Sequence, residues 1–280
     1  MQQFDGSYEY WFEDRADKCC LLAAIDDATG RITQAQFALH EGVTPVFTFW
    51  GQYLLTNGKP HSIYMDKFST YKMPERWVIQ NHDLKTQFQR AMSELGIEPI
   101  FAHSPQAKGR VERLFRTLQD RLIKELRLHT ISTMEEGNRF LKEVFIPQFN
   151  KQFSVEPALS TNAHRPLTAK EEQNLDSILS RQYERTIQND FALSFNNMWY
   201  QLTKEQPVTV CKKDVVIVEE HLNGSVRIRL RGKYLHHQTL PQRPQKATVI
   251  PWVLPKARVP WKPPANHPWR RYEFLKVAQG

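Results

Sequence analysis

Apolar residues between positions 102 and 128 recur at helical spacing and form one continuous stripe. The stripe consists of Val111, Leu114, Phe115, Leu118, Leu122 and Leu126. Residues three and four apart share a helix face, so this pattern predicts a long amphipathic helix packed against a core. Ser104 followed by Pro105 is typical of its start, because the hydroxyl accepts a free backbone amide and proline suits the first turn.

The first 150 residues alternate between runs with strand character and helical stretches. Strand runs lie at 4–12, 19–25, 32–39, 61–65 and 98–102, and the helices before the long one lie at 44–57 and 84–95. Residues 67–82 are less regular and are predicted to be a loop or flap. This order predicts a mixed α/β domain over 1–150, with its site where the strand ends meet the long helix.

Capping-box patterns predict two further helix starts, one at Ser132 with Glu135 and one at Thr168 with Glu171. The first of these helices is expected to be interrupted near Pro147, because proline lacks the amide that a helix interior needs. Residues 151–184 are interpreted as a helical linker that joins the α/β domain to the rest of the chain.

Residues 185–240 form short alternating runs separated by turn signals, of which Asn223-Gly224 is a strong hairpin signal. Several short strands with such turns favour a small all-β barrel. Residues 241–280 hold eight of the 17 prolines, with tryptophans and basic residues interleaved, and are predicted to be an extended basic tail. The predicted fold class is therefore an α/β core followed by a small all-β barrel and a tail.

The positive charge of the chain is concentrated at its C-terminal end. The formal net charge is +8, but residues 200–280 hold 15 Lys/Arg against 5 Asp/Glu, whereas residues 1–199 hold 23 against 25. This distribution indicates an acidic partner. With 40% hydrophobic residues, the chain has enough apolar surface to bury a substantial core.

Cysteine usage and hydropathy bear on the compartment. The chain has three cysteines, Cys19, Cys20 and Cys211, and no Cys-x-x-Cys, which predicts reduced core thiols of a cytoplasmic protein rather than disulfides or a zinc finger. No apolar run reaches membrane-spanning length, and the sequence does not open on a signal-peptide pattern. Because a candidate catalytic strand begins almost at residue 1, we expect the sequence to be part of a longer protein.

Three carboxylates stand out on the predicted elements. Asp5 lies in the first strand, Asp66 follows the fourth, and Glu112 lies at the edge of the apolar stripe. Taken alone, Glu112 is better explained as a solvated partner of its basic neighbours Lys108, Arg113 or Arg116, since surface ion pairs are common. The pair Asp26-Asp27 is interpreted as part of a hairpin turn rather than a metal site.

The sequence HSPQAKGRVER, residues 103–113, resembles the signature around the last acid of DDE transposases and retroviral-type integrases. QFDGSYEYWFEDR and AAIDDATGRI are similar to the first strands of that catalytic core, SIYMDKFSTY to the segment of its second acid, and RTIQNDFALSFNNMWYQL to the start of the barrel that follows. The narrower resemblance is to bacterial insertion-sequence transposases such as the ISNCY group. It implies a ribonuclease H-like core that cuts and joins DNA ends, with Asp5, Asp66 and Glu112 as the catalytic, metal-binding triad.

The chemistry of phosphodiester transfer independently suits carboxylates. Two divalent ions about 3.5–4 Å apart activate the attacking oxygen and stabilise the leaving oxygen, and hard cations such as Mg²⁺ prefer carboxylate ligands. The expected cofactor is therefore a pair of Mg²⁺ (or Mn²⁺) ions in each active site. We expect water to attack during end cleavage and a 3′-hydroxyl during strand transfer, without a covalent enzyme intermediate.

Basic residues in two places are candidate DNA contacts. Lys108, Arg110, Arg113 and Arg116 lie near Glu112 and either hold DNA phosphates or form a solvated helix face. Arg227, Arg229 and Arg231 alternate with apolar residues and form either a row of cations for a DNA backbone or an edge strand charged against aggregation. In the tail, Trp252, Trp261 and Trp269 either stack on bases or dock on a protein surface.

The sequence therefore predicts a metal-dependent DNA transposase whose partners are transposon ends, target DNA and further copies of the same chain, without a membrane. Two other interpretations remain open. One is a DNA-binding protein that derives from a transposase and no longer cuts DNA. The other is a hydrolytic nuclease on the same fold.

Overall fold

A computed structural model of the chain describes residues 1–66, 75–102, 109–159, 161–242 and 261–268. Its first half is built on five strands: β1 (Gln2–Glu9), β2 (Cys19–Asp26), β3 (Ile32–Ala38), β4 (Ser62–Asp66) and β5 (Glu98–Ala102). They form one sheet in the order β3-β2-β1-β4-β5. The first three are antiparallel, whereas β4 and β5 run parallel to β1. This mixed sheet fits the ribonuclease H-like core that the resemblance implies.

Helices cover both faces of the sheet, which confirms the α/β class of the core. One face packs on α1 (Val43–Asn57) and α2 (Glu75–Glu94), and the other packs on α3 (Gly109–Leu128), α4 (Met134–Phe140) and α5 (Ile146–Phe153). Alternate residues of a strand point to opposite faces. Leu22 of β2 therefore belongs to the core under α1 and α2, and its neighbour Leu21 belongs to the core under α3.

The apolar stripe predicted for the long helix is confirmed. All six of its residues are buried in α3, and none of them is more than 7% exposed. The predicted helix start at Ser104-Pro105 lies outside the described residues, among which α3 begins at Gly109.

Helix α2 corrects one prediction about the segment after Asp66. Residues 75–82 belong to α2 and are not a loop or flap, whereas residues 67–74 lie outside the part that the structure describes. Trp77, Val78 and Ile79 are adjacent apolar residues and do not follow the spacing of three and four that predicts a helix. The first turns of α2 were therefore not predicted from the sequence. Pro74 precedes Glu75 in the sequence, and proline is a residue type typical of helix starts.

Of the two predicted capping boxes, the second is confirmed and the first lies one residue later than predicted. Thr168 and Glu171 form a capping box at the start of α6 (Ala169–Gln173), which α7 (Leu175–Ile178) follows. The prediction of Ser132 with Glu135 is wrong by one residue, because Thr133 caps α4 and pairs with Glu136. The expected interruption near Pro147 is a π-helical segment, Leu141–Phe145, after which Pro147 occupies the first turn of α5.

The remaining strands are β6 (Arg181–Thr186), β7 (Ala192–Phe195), β8 (Met198–Leu202), β9 (Val215–Glu220), β10 (Val226–Leu230), β11 (Lys233–Tyr234) and β12 (His237–Leu240). They form two open sheets, β6-β9-β10-β11 and β7-β8-β12, around one shared apolar core. The predicted barrel is therefore not confirmed. The hairpin at Asn223-Gly224 is confirmed, with Gly224 at φ +79° between β9 and β10.

This two-sheet unit is attached to the core through α2. Gln87 of α2 and Gln182 of β6 exchange two hydrogen bonds, of 2.8 and 3.0 Å. Arg90, one turn later in α2, donates to the carbonyl oxygens of Ile178 and Ser180. Of the tail, the structure describes 241–242 and 261–268, and Trp261 is exposed. Trp252 and Trp269 lie outside the described residues. No described helix is long and apolar enough to cross a membrane.

Candidate active site

The pairing of β1 with β4 places two of the three predicted acids at the same level of the sheet. Gln2 pairs with Ile63 and Gln3 with Tyr64 in parallel register. Continuing this register along both strands brings Asp66 level with Asp5. Residues in register share a face of a sheet, so the positions of Asp5 and Asp66 lie on the same face.

That face is the one covered by α3. Phe4 and Met65, the residues before the two aspartates, are both buried in the core under α1 and α2. Because side chains alternate along a strand, the Asp5 and Asp66 positions belong to the opposite face. Asp5 itself is partly buried, and its Oδ1 accepts the Gly6 amide at 3.1 Å. The side chain of Asp66 lies outside the described part of the structure.

Two hydrogen bonds fix α3 alongside β1. Near the start of both elements, the Val111 amide donates to Gln3 Oε1 at 3.2 Å. Further along, Gln119 Nε2 donates to Ser7 Oγ at 3.4 Å. The strand rises about 13 Å between Gln3 and Ser7 and the helix about 12 Å between Val111 and Gln119. Strand and helix therefore run side by side in the same direction.

This arrangement places Glu112 close to the strand face that carries Asp5. Glu112 precedes Gln119 by two helical turns, so both lie on the same side of α3. Asp5 lies midway between Gln3 and Ser7, the two residues of β1 that α3 contacts. The structure thus places α3, which carries Glu112, along the face of β1 that carries Asp5. The register of β4 with β1, continued along both strands, puts the Asp66 position level with Asp5.

Glu112 is exposed, and among the described residues it takes part in no ion pair. Arg113 Nε instead donates to the Gly109 carbonyl oxygen at 2.7 Å, and no described contact engages Arg116. The alternative in which Glu112 serves as a surface partner of Arg113 or Arg116 is therefore not what the structure shows. Lys108, the third basic neighbour, lies outside the described residues.

Gln3 and Asp27 belong to the surroundings of the site, although the sequence did not single them out for it. Gln3 is buried, and its Nε2 donates to Asp27 Oδ1 at 2.7 Å. The same Oδ1 is 3.2 Å from Arg110 Nε. The predicted turn at Asp26-Asp27 is confirmed, since Asp26 Oδ2 accepts the Thr29 amide and hydroxyl. A polar residue two positions before Asp5, on the same strand face, was the available signal for Gln3.

The candidate DNA contacts of β10 have partners within the protein. Arg229 Nε donates to Glu219 Oε1 at 2.6 Å, and Glu219 is fully buried. Arg231 donates to the Thr209 carbonyl oxygen and lies 3.4 Å from Asp214. Arg227 is exposed, with its guanidinium 5.5 Å from the centre of the Tyr234 ring. Of the three, Arg227 is thus the one that no described ion pair holds.

The oxygen donors of Asp5 and Glu112 suit a hard divalent cation. Among the described side chains, no group of three or more His, Cys, Asp or Glu is arranged to hold a metal ion; Asp66 is not part of that set. Burial raises the pKa of Cys20, and the charges of Glu41 and Asp5 add to this effect. Burial likewise raises the pKa of Cys19 to about 11. Cys19 and Cys20 are free core thiols, as predicted, but the prediction is wrong for Cys211, which is free and exposed.

Comparison with known proteins supports the resemblance seen in the sequence. The chain is 38% identical over 252 residues to the putative transposase y4bF of Sinorhizobium fredii, a match that covers 89% of this chain and 54% of that protein. It is 33% identical over 285 residues to the transposase for insertion sequence IS1202 of Streptococcus pneumoniae, covering 97% of this chain and 58% of that protein. The chain thus spans about half the length of the curated relatives it matches. No protein-family model matches it.

Two solved structures with distant similarity are a viral intasome and a viral integrase catalytic core domain. A chain of the simian T-cell lymphotropic virus intasome, solved in complex with PP2A regulatory subunit B56 gamma, matches 86% of this chain at 14% identity and a TM-score of 0.41. The trimeric form of the HTLV-2 integrase catalytic core domain in complex with magnesium matches 49% of this chain at 19% identity and a TM-score of 0.36.

Proposed function

We propose that this chain, which is related to bacterial transposases along most of its length, is the catalytic part of a DDE transposase. In this proposal it cuts transposon ends and joins the 3′-hydroxyl to target DNA. The observation that supports it best is the parallel register of β1 and β4, which pairs Gln2 with Ile63 and Gln3 with Tyr64. Continued along both strands, this register brings Asp66 level with Asp5. The helix that carries Glu112 is hydrogen-bonded to the same face of β1.

Asp5, Asp66 and Glu112 are the proposed catalytic residues and the proposed ligands of two Mg²⁺ or Mn²⁺ ions. When bound, such ions supply the positive charge that activates an attacking oxygen and stabilises the leaving oxygen. The protein contributes rigid placement: Asp5 pairs with Ala23 of β2, and β1 is held to β4 two residues earlier, at Gln3. Glu112 lies in the first turns of a helix whose apolar stripe is fully engaged in the core.

DNA is the proposed partner. The exposed side of the first turns of α3 carries Arg113 and Arg116 beside Glu112, where cations are placed to hold the phosphates next to a scissile bond. Lys108 and Arg110, which precede them in the sequence, are further proposed DNA contacts. Arg227, Arg229 and Arg231 are a second proposed set of DNA contacts. We further propose that the protein acts as a multimer on DNA, because it would act on two paired transposon ends.

A cleavage assay tests this function. The protein is incubated with Mg²⁺ or Mn²⁺ and a duplex oligonucleotide that carries the terminal sequence of the genetic element encoding it, and nicked and joined products are separated. We expect both products with the unmodified chain. Asp66→Asn and Glu112→Gln should abolish both products but leave DNA affinity largely intact, because binding depends on cations elsewhere. Asp120→Asn, which removes an exposed carboxylate from the same helix, should retain activity.

The same assay separates the other two interpretations. Nicked DNA without joined product would indicate a hydrolytic nuclease, and binding without either product would indicate a transposase-derived DNA-binding protein. Cleavage that persists in Asp66→Asn would remove Asp66 from the proposed site.

A further inference from the structure

A buried side-chain amide ties the first turn of α3 to the sheet. Gln3 is 4% exposed, and both ends of its amide are used. Its Oε1 accepts the Val111 amide at 3.2 Å, and its Nε2 donates to Asp27 Oδ1 at 2.7 Å. Asp27 Oδ1 is in turn 3.2 Å from Arg110 Nε. These contacts close a ring from Gln3 through Asp27 and Arg110 back to Val111.

The Val111 amide binds an acceptor from outside the helix, the side chain of Gln3. Val111 is the third residue of the described part of α3. Because the acceptor belongs to β1, this turn of α3 is held at a fixed distance from that strand. Glu112 is the next residue along the helix, and Asp5 shares the strand face of Gln3.

We propose that Gln3 is a positioning residue for Glu112. Its amide holds the first turn of α3 at the distance from β1 at which the Glu112 and Asp5 carboxylates can share one divalent ion. Asp27 supports this role by fixing the orientation of the Gln3 amide and by holding Arg110. The inference rests on the proposed function, because it concerns the metal site of that function.

The neighbouring residue Gln2 offers a matched control. Gln2 is also fully buried, and its amide is likewise used at both ends, by Asp26 Oδ1 at 3.2 Å and by the Thr33 hydroxyl at 2.7 Å. It contacts neither α3 nor Asp27 among the described residues. A role in stability alone would make Gln2 and Gln3 equivalent, whereas a positioning role distinguishes them.

The test compares Gln3→Met with Gln2→Met, since methionine keeps the length of the side chain and removes both hydrogen bonds. Mn²⁺ binding to the protein without DNA is measured by electron paramagnetic resonance titration. Loss of the partner that orients a metal ligand typically weakens metal binding about 10- to 100-fold. We expect a loss of about 10-fold in Gln3→Met and an unchanged affinity in Gln2→Met. Amide hydrogen exchange at Val111 should also become faster only in Gln3→Met.

Asp27→Ala provides a second variant at a partly exposed turn, where misfolding is not a concern. It should weaken Mn²⁺ binding in the same direction, but less, because Gln3 keeps its bond to Val111. Equal affinities in Gln3→Met and Gln2→Met would overturn the inference. If Gln3→Met does not fold, unchanged affinity in Asp27→Ala would overturn it instead.

A further control separates this inference from the proposed function. If Asp5→Asn binds Mn²⁺ as the unmodified chain does, the metal site itself is wrong. If Asp5→Asn loses binding while Gln3→Met does not, the site stands and only the positioning role of Gln3 is wrong.

Discussion

Arg229 is the candidate DNA contact whose removal should cost the most stability. Its Nε donates to Glu219 Oε1 at 2.6 Å, and Glu219 is completely buried. Removing one partner of a buried ion pair typically costs about 3–5 kcal/mol, because the remaining charge is left uncompensated. The hydroxyl groups of Ser177 and Tyr234 still donate to Glu219 at 3.0 Å each. We therefore expect Arg229→Ala to lower the free energy of unfolding by about 3 kcal/mol, the low end of that range.

Urea unfolding followed by tryptophan fluorescence measures this change. Arg227→Ala is the matched control on the same strand, since Arg227 is exposed and contacts only the Tyr234 ring among the described residues. An exposed contact of this kind is worth about 0.5–1 kcal/mol, so the control should lose no more than that. Glu219→Gln combined with Arg229→Ala should recover part of the loss, because the buried charge is gone. Equal stability of the two single variants would refute the reasoning.

Three further predictions address the core, the pH dependence and the DNA contacts. Leu122→Ala should lower the free energy of unfolding by about 2–5 kcal/mol. Leu128→Ala, at a 77% exposed position, should change it by less than about 0.5 kcal/mol. Similar losses of stability in urea for the two variants would contradict the burial of the α3 stripe. Burial lowers the pKa of His164, whose Nε2 lies 2.7 Å from the Tyr53 hydroxyl, so the unfolded chain binds the proton more readily and stability falls as pH drops below about 6.5. His164→Gln should flatten this fall between about pH 7 and 5, and an unchanged slope of urea midpoint against pH would contradict it. Arg116→Ala should reduce the salt dependence of DNA binding by about one unit in the log–log slope, and an unaltered slope would exclude a phosphate contact.

Local patterns accounted for the elements that carry the candidate site. The stripe of α3 was predictable because helical periodicity depends only on neighbouring residues, and all six positions are buried. The same holds for the alternating strands and for the turn at Asp26-Asp27. The sequence pattern predicted only the last two residues of β6, because this edge strand, with the sequence RQYERT, shows little apolar alternation.

Contacts between distant parts of the chain were not predictable from such patterns. The level of Asp66 relative to Asp5 depends on the register of two parallel strands that are not adjacent in sequence. The ring through Gln3 and Asp27 depends on how α3 docks, so no local pattern shows that these two residues contact each other or the helix. Arg229 was expected to face outward because it alternates with apolar residues, but Ser177 and the buried Glu219 cover that side.

The most direct test of the account is a crystal structure of the protein soaked with Mn²⁺, with the ions located by their anomalous signal. We expect Mn²⁺ between Asp5 and Asp66, with a Glu112 oxygen completing the ligands of at least one ion. Mn²⁺ bound elsewhere, or Glu112 turned away from an ion held by the two aspartates, would contradict the claim that these three carboxylates form one catalytic site.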